Sequence, residues 1–281
     1  MLLITDIDSL RQFRNSCPPE ARIGLVPTMG ALHEGHLSLA ARAVQENDVS
    51  IVTIFVNPTQ FGPSEDFSRY PRTLEADLAK LAPLGVDAVF APEVASIYPE
   101  PPAEFTFQIR SLDRKLCGAS RPGHMNGVVQ VVSILFHLVR PSRAYFGLKD
   151  YQQCLIIRRL VRELHFPLDV VPCPIVREPD GLAMSSRNVY LAPEERRQAV
   201  ALSHTLREIR ERLGSFPGTA AAKAFAQDAL AAFPLVQLDY FEILHGETLE
   251  DLDSLAPEGK PVAFIAAWLG KTRLIDNLQL F

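Results

Sequence analysis

Cysteine is scarce in this 281-residue chain and never paired by spacing: Cys17, Cys117, Cys154 and Cys173 stand far apart. Without a C-x-x-C pair the sequence argues against a zinc site and a disulfide scaffold, and a reducing cytoplasm is the expected compartment. Long apolar runs are missing as well. The longest, Val128 to Val139, is broken by Gln130, Ser133 and His137, short of the ~20 residues a membrane span needs. Met1 to Ile4 lead straight into a predicted first helix with no basic region and no small-residue cleavage site, so no signal peptide is expected. Positive charge is not in excess. A formal net charge of −5 and a pI near 5.8 give no global field for nucleic acid, and any bound anion must be held locally. Three catalytic signatures are also absent: G-x-S-x-G, a cysteine placed as nucleophile, and the G-x-x-x-x-G-K-[ST] phosphate loop.

What is present is an ordinary globular balance, 47% hydrophobic and 22% charged with mean hydropathy +0.07, in a chain long enough for one large domain or two smaller ones. Up to about residue 182, β-branched runs alternate with helical patterns. Strands are predicted at Ile23 to Val26, Val49 to Val56, Val86 to Phe90, Phe105 to Ile109, Ala144 to Phe146 and Leu168 to Val171. Helices are predicted at about His36 to Asn47, Thr73 to Leu81, Asn126 to Leu138 and Tyr151 to Leu164. That order predicts an α/β, doubly wound (Rossmann-like) parallel sheet over residues 1–182, with its binding crevice at the carboxyl ends of the strands. After Pro179-Asp180-Gly181 the pattern changes to two helices, about Pro193 to Leu213 and Ala220 to Ala232. Three strands follow, at Val236 to Leu244, Val262 to Leu269 and Thr272 to Asn277. Residues 183–281 therefore read as a smaller α+β domain.

Chemistry gathers where this architecture puts loops. Pro27 to His36 follows the first buried strand, and its H-x-G-H spacing puts two imidazoles and a flexible Gly35 at the start of a helix, a fitting place for a phosphate. A surface loop that merely holds two histidines is the other reading of that motif alone. Asn57-Pro58-Thr59-Gln60-Phe61 ends the most hydrophobic strand, where side-chain amides can both donate to and accept from a small polar ligand. An Asn-Pro turn would explain Asn57 and Pro58 but not Gln60. Gly147-Leu148-Lys149-Asp150 opens a helix whose first turn holds Gln152 and Gln153. Lys149 suits phosphate and Asp150 suits ribose hydroxyls, although Asp150 could equally cap the helix. Met184-Ser185-Ser186-Arg187-Asn188 clusters two hydroxyls and a guanidinium on a segment between the domains, readable as a closing lid or as a capping serine beside a surface arginine. Together they form a site rich in phosphate donors and without a nucleophile. The substrates must then attack each other while the protein positions them.

The motifs P-T-M-G-A-L-H-E-G-H, F-V-N-P-T-Q-F, R-Y-P-R-T, S-R-P-G-H, G-L-K-D-Y-Q-Q and D-G-L-A-M-S-S-R-N, in that order and followed by a final L-I-D-N, resemble the pantoate–β-alanine ligase family. That family belongs to the nucleotidyltransferases with H-x-G-H and K-M-S-K-S motifs, and Met184 to Arg187 looks like its form of the second. The resemblance implies an ATP- and pantoate-binding domain over residues 1–182 and a lid domain over 183–281. It implies an ATP site formed by Met29, Gly30, His33, His36, Gly147, Lys149, Asp150, Val176, Met184, Ser185, Ser186 and Arg187. Within that site His36 matches a catalytic proton donor, and His33, Lys149, Ser185, Ser186 and Arg187 match phosphate groups. Gln60 and Gln153 match the pantoate amides, and Asn57 and Tyr70 border the pantoate and β-alanine pocket. Leu148 and Cys117 depart from the family pattern, at positions where polar and acidic residues are common.

The resemblance further implies Mg2+ accompanying ATP, with no metal-binding side chain indicated, and a cytoplasmic homodimer with neither nucleic acid nor membrane as partner. The expected reaction joins pantoate to β-alanine through pantoyl adenylate, releasing pyrophosphate and AMP. A nucleotidyltransferase moving AMP onto a phosphate-bearing acceptor is the alternative, and it would want cations where this chain has Asn57, Gln60 and Gln153. A non-catalytic nucleotide-binding module would have no need of Lys149, Arg187 and both histidines together.

Overall fold

Runs such as Ile23 to Val26 and Ser50 to Thr53 are shielded from solvent on both sides, the environment a parallel sheet creates when helices cover its two faces. The computed structural model describes residues 1–63, 65–100 and 103–281 and divides into two units. The first comprises residues 1–111, 121–148 and 152–174, and the second 112–120, 149–151 and 175–281. In chain order the elements up to residue 174 are β1 (Leu2–Ile4), α1 (Ile7–Ser16), β2 (Ile23–Thr28), α2 (Glu34–Glu46), β3 (Val49–Ile54), α3 (Leu74–Leu81), β4 (Ala88–Phe90), α4 (Val94–Ile97), α5 (Leu116–Ser120), α6 (His124–Val139), β5 (Arg143–Gly147), α7 (Tyr151–Glu163) and β6 (Asp169–Cys173).

The six strands form one sheet in the order β1-β4-β3-β2-β5-β6, with every pairing parallel. The order reverses between β2 and β5, the topological switch where such sheets bind ligands. There the two ladders differ in length. Pairing of β2 with β3 continues to Thr28, whereas β2 meets β5 only at Gly24 and Leu25. Pro27 carries no N–H with which to extend a ladder, so the sheet opens at the carboxyl ends of these strands. A core of Val26, Val52, Val89, Leu39, Ala43 and Leu81 packs the strands against α2 and α3.

The second unit continues with α8 (Pro193–Ala199), α9 (Ala201–Glu211), α10 (Thr219–Ala231), β7 (Val236–His245), β8 (Pro261–Leu269) and β9 (Thr272–Gln279). Its strands form an antiparallel sheet β7-β8-β9. One face carries Phe241, Ile243, Ala263, Ile265 and Leu274 into a core with Leu202, Leu206, Ile209 and Leu230 from the helices. The other face is covered by chain from elsewhere in the sequence: Tyr151 packs edge-on to Phe264 at 5.3 Å, and Cys117 lies 3.4 Å from the Tyr240 hydroxyl. Among the described residues no helix is long and apolar enough to cross a membrane.

Three expectations need correction. Met1 to Ile4 do not run straight into a helix, because Leu2–Ile4 pairs with β4 as an edge strand before Asp6 caps α1 at Ser9 N; three residues are too few to show alternation. Phe105 to Ile109 is not a strand. Phe105 is 87% exposed, and strand preference counts only where a neighbour supplies pairing and burial. The pattern from Pro193 to Leu213 is two helices, split at Val200.

The first turn of α6 sits against the Pro58–Gln60 turn that follows β3, and only a glycine allows that approach. A Cβ on Gly127 would lie 2.3 Å from the Thr59 carbonyl oxygen and 2.7 Å from the Gln60 nitrogen. Both are backbone atoms that cannot swing aside. Gly127→Ala is expected to destabilise the fold by about 1–3 kcal/mol, read from the midpoint of a urea titration; an unchanged midpoint would show that the turn yields freely.

Candidate active site

The turn after β2 is built around strained backbone. Gly30 (φ +84°) and Ala31 (φ +50°) are both left-handed, and a Cβ on Gly30 would press on Ile54 at 3.0 Å, so Gly30 serves shape and conformation at once. What holds the strain is Asp77 of α3, which is fully buried and accepts the N–H groups of Ala31 at 2.9 Å and Leu32 at 2.8 Å. One helical turn later, Lys80 donates to the Leu32 carbonyl. From the β-strand side, the Thr28 hydroxyl donates to the Thr53 carbonyl and accepts from Gly30 N.

Fixed in this way, the chain enters α2 through a capping box made of histidines. His33 is the N-cap, its Nδ1 accepting from Gly35 N at 3.1 Å, and His36 Nδ1 lies 3.4 Å from His33 N, which donates to it. An N-cap and its N3 partner are three residues apart, which is the spacing within H-x-G-H. Because both Nδ1 atoms accept, each neutral ring carries its hydrogen on Nε2. The ring centres are 4.1 Å apart. The result is a pair of N–H donors beside the positive end of a helix.

The loop after β3 presents Gln60. Its carboxamide oxygen accepts from Asn57 Nδ2 at 3.1 Å and its amide nitrogen donates to the Met29 sulfur at 2.9 Å. A thioether is a weak acceptor, so a carboxylate would take that donor in its place. Asn57 is 1% exposed and internally occupied: Nδ2 donates also to the Gly127 carbonyl, and Oδ1 accepts from the hydroxyls of Thr59 and Tyr98. It holds the loop and orients Gln60. Burial pushes the Tyr98 phenol above its ordinary pKa, which keeps it a donor. Tyr70, also buried, packs edge-on to Phe61 at 5.9 Å.

Beneath Gln60 lies a group that sequence reasoning left without a role. Arg121 grips Glu65 with both Nε and Nη2 at 2.7 Å and its Nη2 reaches the Gln60 carbonyl at 3.4 Å. His124 Nδ1 donates to the same carbonyl at 2.8 Å, so its Nε2 accepts from Arg121 Nη1 at 2.9 Å. The signal is visible in the sequence, since Arg121 and His124 are the ends of R-P-G-H within S-R-P-G-H, but Glu65 lies 56 residues away.

In the second unit, Lys149 Nζ lies 3.2 Å from Asp150 Oδ2, and its carbonyl accepts from Asn277 Nδ2 at 3.0 Å. A hairpin bends at Asp180-Gly181: Met184 N donates to the Val176 carbonyl, and Arg177 and Ala183 bridge. Ser185 caps the short turn Ser186–Tyr190 by accepting Arg187 N at 3.3 Å. So the capping reading of that serine is correct, and capping leaves its hydroxyl hydrogen as a donor. The residues singled out by sequence thus fall into two sets. Met29, Gly30, His33, His36, Asn57, Gln60, Tyr70, Gly147 and Gln153 belong to the first unit, and Lys149, Asp150, Val176, Met184, Ser185, Ser186 and Arg187 to the second.

The family profile described as pantoate-beta-alanine ligase matches residues 2–279. The chain belongs to the pantoate–β-alanine ligase family. It is 50% identical over 282 residues to the pantothenate synthetase of Pseudothermotoga lettingae, covering 100% of this chain and 99% of that one. Against that of Moorella thermoacetica it is 53% identical over 92% of this chain and 90% of the relative. Among solved structures, pantothenate synthetase from Thermus thermophilus superposes with TM-score 0.94 at 47% identity, each chain covered in full. The Francisella tularensis pantoate-beta-alanine ligase, complexed with beta-gamma ATP and beta-alanine, gives TM-score 0.84 at 35% identity, covering 100% of this chain and 98% of that one. Of the two residues read from the sequence as departures from the family pattern, Leu148 opens the turn before Lys149 and Cys117 is buried 3.4 Å from Arg273 Nη1. Cys117 therefore packs on the three-stranded sheet.

Although burial works against its charge, the Arg121 guanidinium holds the Glu65 carboxyl down at about 2, against an ordinary 4.5. With the folded value depressed, this contact contributes stability above pH ~4.5 and loses it as pH falls through about 2. A carboxyl-carbon NMR titration should place Glu65 near 2, and Arg121→Ala should return it to the ordinary range or higher; a wild-type midpoint near 4.5 would mean that the pair is not formed in solution.

Proposed function

We propose that the chain condenses pantoate with β-alanine in a reaction driven by ATP, yielding pantothenate, AMP and pyrophosphate, and that pantoyl adenylate is the intermediate. Whole-length membership of the family supports the overall reaction. The observation in the chain itself that carries the reading is the histidine capping box at the switch point, with the buried Gln60 amide nearby in the same unit. Those are groups for holding charge and orienting a carboxylate, and they leave the substrates to react with each other.

In the first step a pantoate carboxylate oxygen attacks the α-phosphorus in line, and the bond from that phosphorus to the bridging oxygen breaks. Gln60 and Gln153 orient the carboxylate. Negative charge grows on the departing pyrophosphate, where His33, His36, Lys149, Ser185, Ser186 and Arg187 act as donors, with Asp150 at the ribose and Met29, Gly30, Gly147, Val176 and Met184 framing the nucleotide. In the second step the β-alanine amine attacks the acyl carbon, loses a proton and expels AMP. Family resemblance is the support for Mg2+ accompanying the nucleotide, whose phosphates commonly supply part of its coordination. Bound there it would neutralise part of the phosphate charge. The same resemblance is the support for a cytoplasmic homodimer.

Transfer of AMP to a phosphate-bearing acceptor is the weaker reading. Arg121, a cation beside Gln60, is already paired with Glu65 and so is not free for an acceptor phosphate.

Two experiments test the mechanism. Pantoate labelled with heavy oxygen in its carboxylate should give AMP carrying one labelled oxygen, with the other retained in pantothenate; unlabelled AMP would overturn the acyl-adenylate route. His36→Ala should slow adenylation in single turnover by ~10²–10³ without loss of fold, and a near-normal rate would remove His36 from the chemistry.

A further inference from the structure

The final L-I-D-N of the sequence has no part in the mechanism above, yet it places two buried polar residues side by side on β9. Asp276 and Asn277 are each 4% exposed. Neighbours on a strand point to opposite faces, and here both faces are covered. Asp276 pairs in register with Ile265, whose side chain lies in the helix-packed core. Asn277 pairs with Phe264, on the face where Tyr151 packs.

On that second face the Asn277 amide donates to the Lys149 carbonyl at 3.0 Å, pinning the peptide from which Lys149 projects. On the core face Asp276 takes both arms of Arg177, Oδ2 from Nη1 at 2.6 Å and Oδ1 from Nη2 at 2.9 Å, and Oδ1 also accepts Asn277 N at 2.8 Å. Arg177 Nη1 donates onward to the Gly181 carbonyl at 3.0 Å, so the carboxylate fixes the hairpin at its tip. The hairpin in turn fixes both flanks of Ser185-Ser186-Arg187. Met184 N is held by the Val176 carbonyl on one side, and Asn188 Nδ2 by Glu178 Oε1 and the Ala183 carbonyl on the other.

A buried ion pair is a weak source of stability, since apolar residues of similar volume do as well or better. What it supplies is geometry.

We propose that Asp276 and Asn277 are positioning residues for the nucleotide: from opposite faces of one strand, Asn277 sets the backbone of Lys149 and Asp276, through Arg177, sets the segment Ser185–Arg187. This rests on the reading of Lys149 and Ser185–Arg187 as ATP-binding groups. Both side chains are engaged by protein groups, and they hold in one register the two elements that meet the nucleotide's phosphates.

Asn277→Asp keeps the shape but turns a donor into an oxygen facing a carbonyl, and Asn277→Ala removes the donor without adding repulsion. Binding of ATP with Mg2+ to the full-length protein, measured by calorimetry, should weaken about tenfold in the first variant and less in the second. Asp276→Asn should weaken it in the same sense, while pantoate binding stays within twofold of wild type in all three. In turnover the KM for ATP should rise with those for pantoate and β-alanine unchanged. If a variant does not fold, as judged by thermal unfolding, the remaining two carry the test. The inference fails if folded variants bind ATP within twofold of wild type, if all substrates weaken together, or if only kcat falls, the signature of a smaller active fraction. The underlying reading is tested separately by wild-type AMP formation that requires pantoate and β-alanine; its absence would refute that reading, while the binding measurement would still decide the role of Asp276 and Asn277.

Discussion

A carboxylate without solvent, Asp77, is the contact on which the histidine-bearing turn of the first unit depends. Two consecutive residues after β2 have left-handed backbone, and one of them is an alanine, whose Cβ makes that conformation sterically costly. Asp77 offsets that cost by accepting two adjacent N–H groups, an interaction stronger than one between neutral partners. Release of that turn would shift the N-cap of α2, and with it both imidazoles.

Several charges near the residues singled out by sequence are paired within the chain. Arg121 is held by Glu65, Arg177 by Asp276, and Lys149 lies against Asp150. Around Gln60 the side-chain partners are the Asn57 amide and the Met29 thioether. Lys149, in contrast, is held by a partly exposed aspartate, and screening by water makes such a pair weak enough to yield to a polyphosphate.

The second unit shows how a small antiparallel sheet can be packed on both of its faces. One face buries an ordinary helix-packed core, while the other is covered by residues 112–120 and 149–151, brought in from distant sequence. Cys117 near Tyr240 and Arg273, and Tyr151 on Phe264, are the polar and apolar contacts of that cover. Strand alternation then lets two neighbouring residues of β9 act on different neighbours.

The amino-acid sequence by itself determined the order of strands and helices and the parallel class of the larger sheet, because buried strands and amphipathic helices differ in hydrophobic period. It also placed the donor groups, since H-x-G-H, N-P-T-Q, G-L-K-D and M-S-S-R-N all fall at element ends. Phe105 to Ile109 looks like a strand to any local pattern although it joins no sheet, and the three-residue β1 is too short to show one. Only the tertiary structure decided which polar residues serve the site indirectly. In the sequence Asp77 is one more helix residue and Glu65 one more loop residue, and Arg177, Asp276 and Asn277 carry no local signal of their roles. Those roles come from contacts across 45 to 128 positions of sequence, and a carboxylate becomes an anchor only when folding removes its water and supplies a donor in its place.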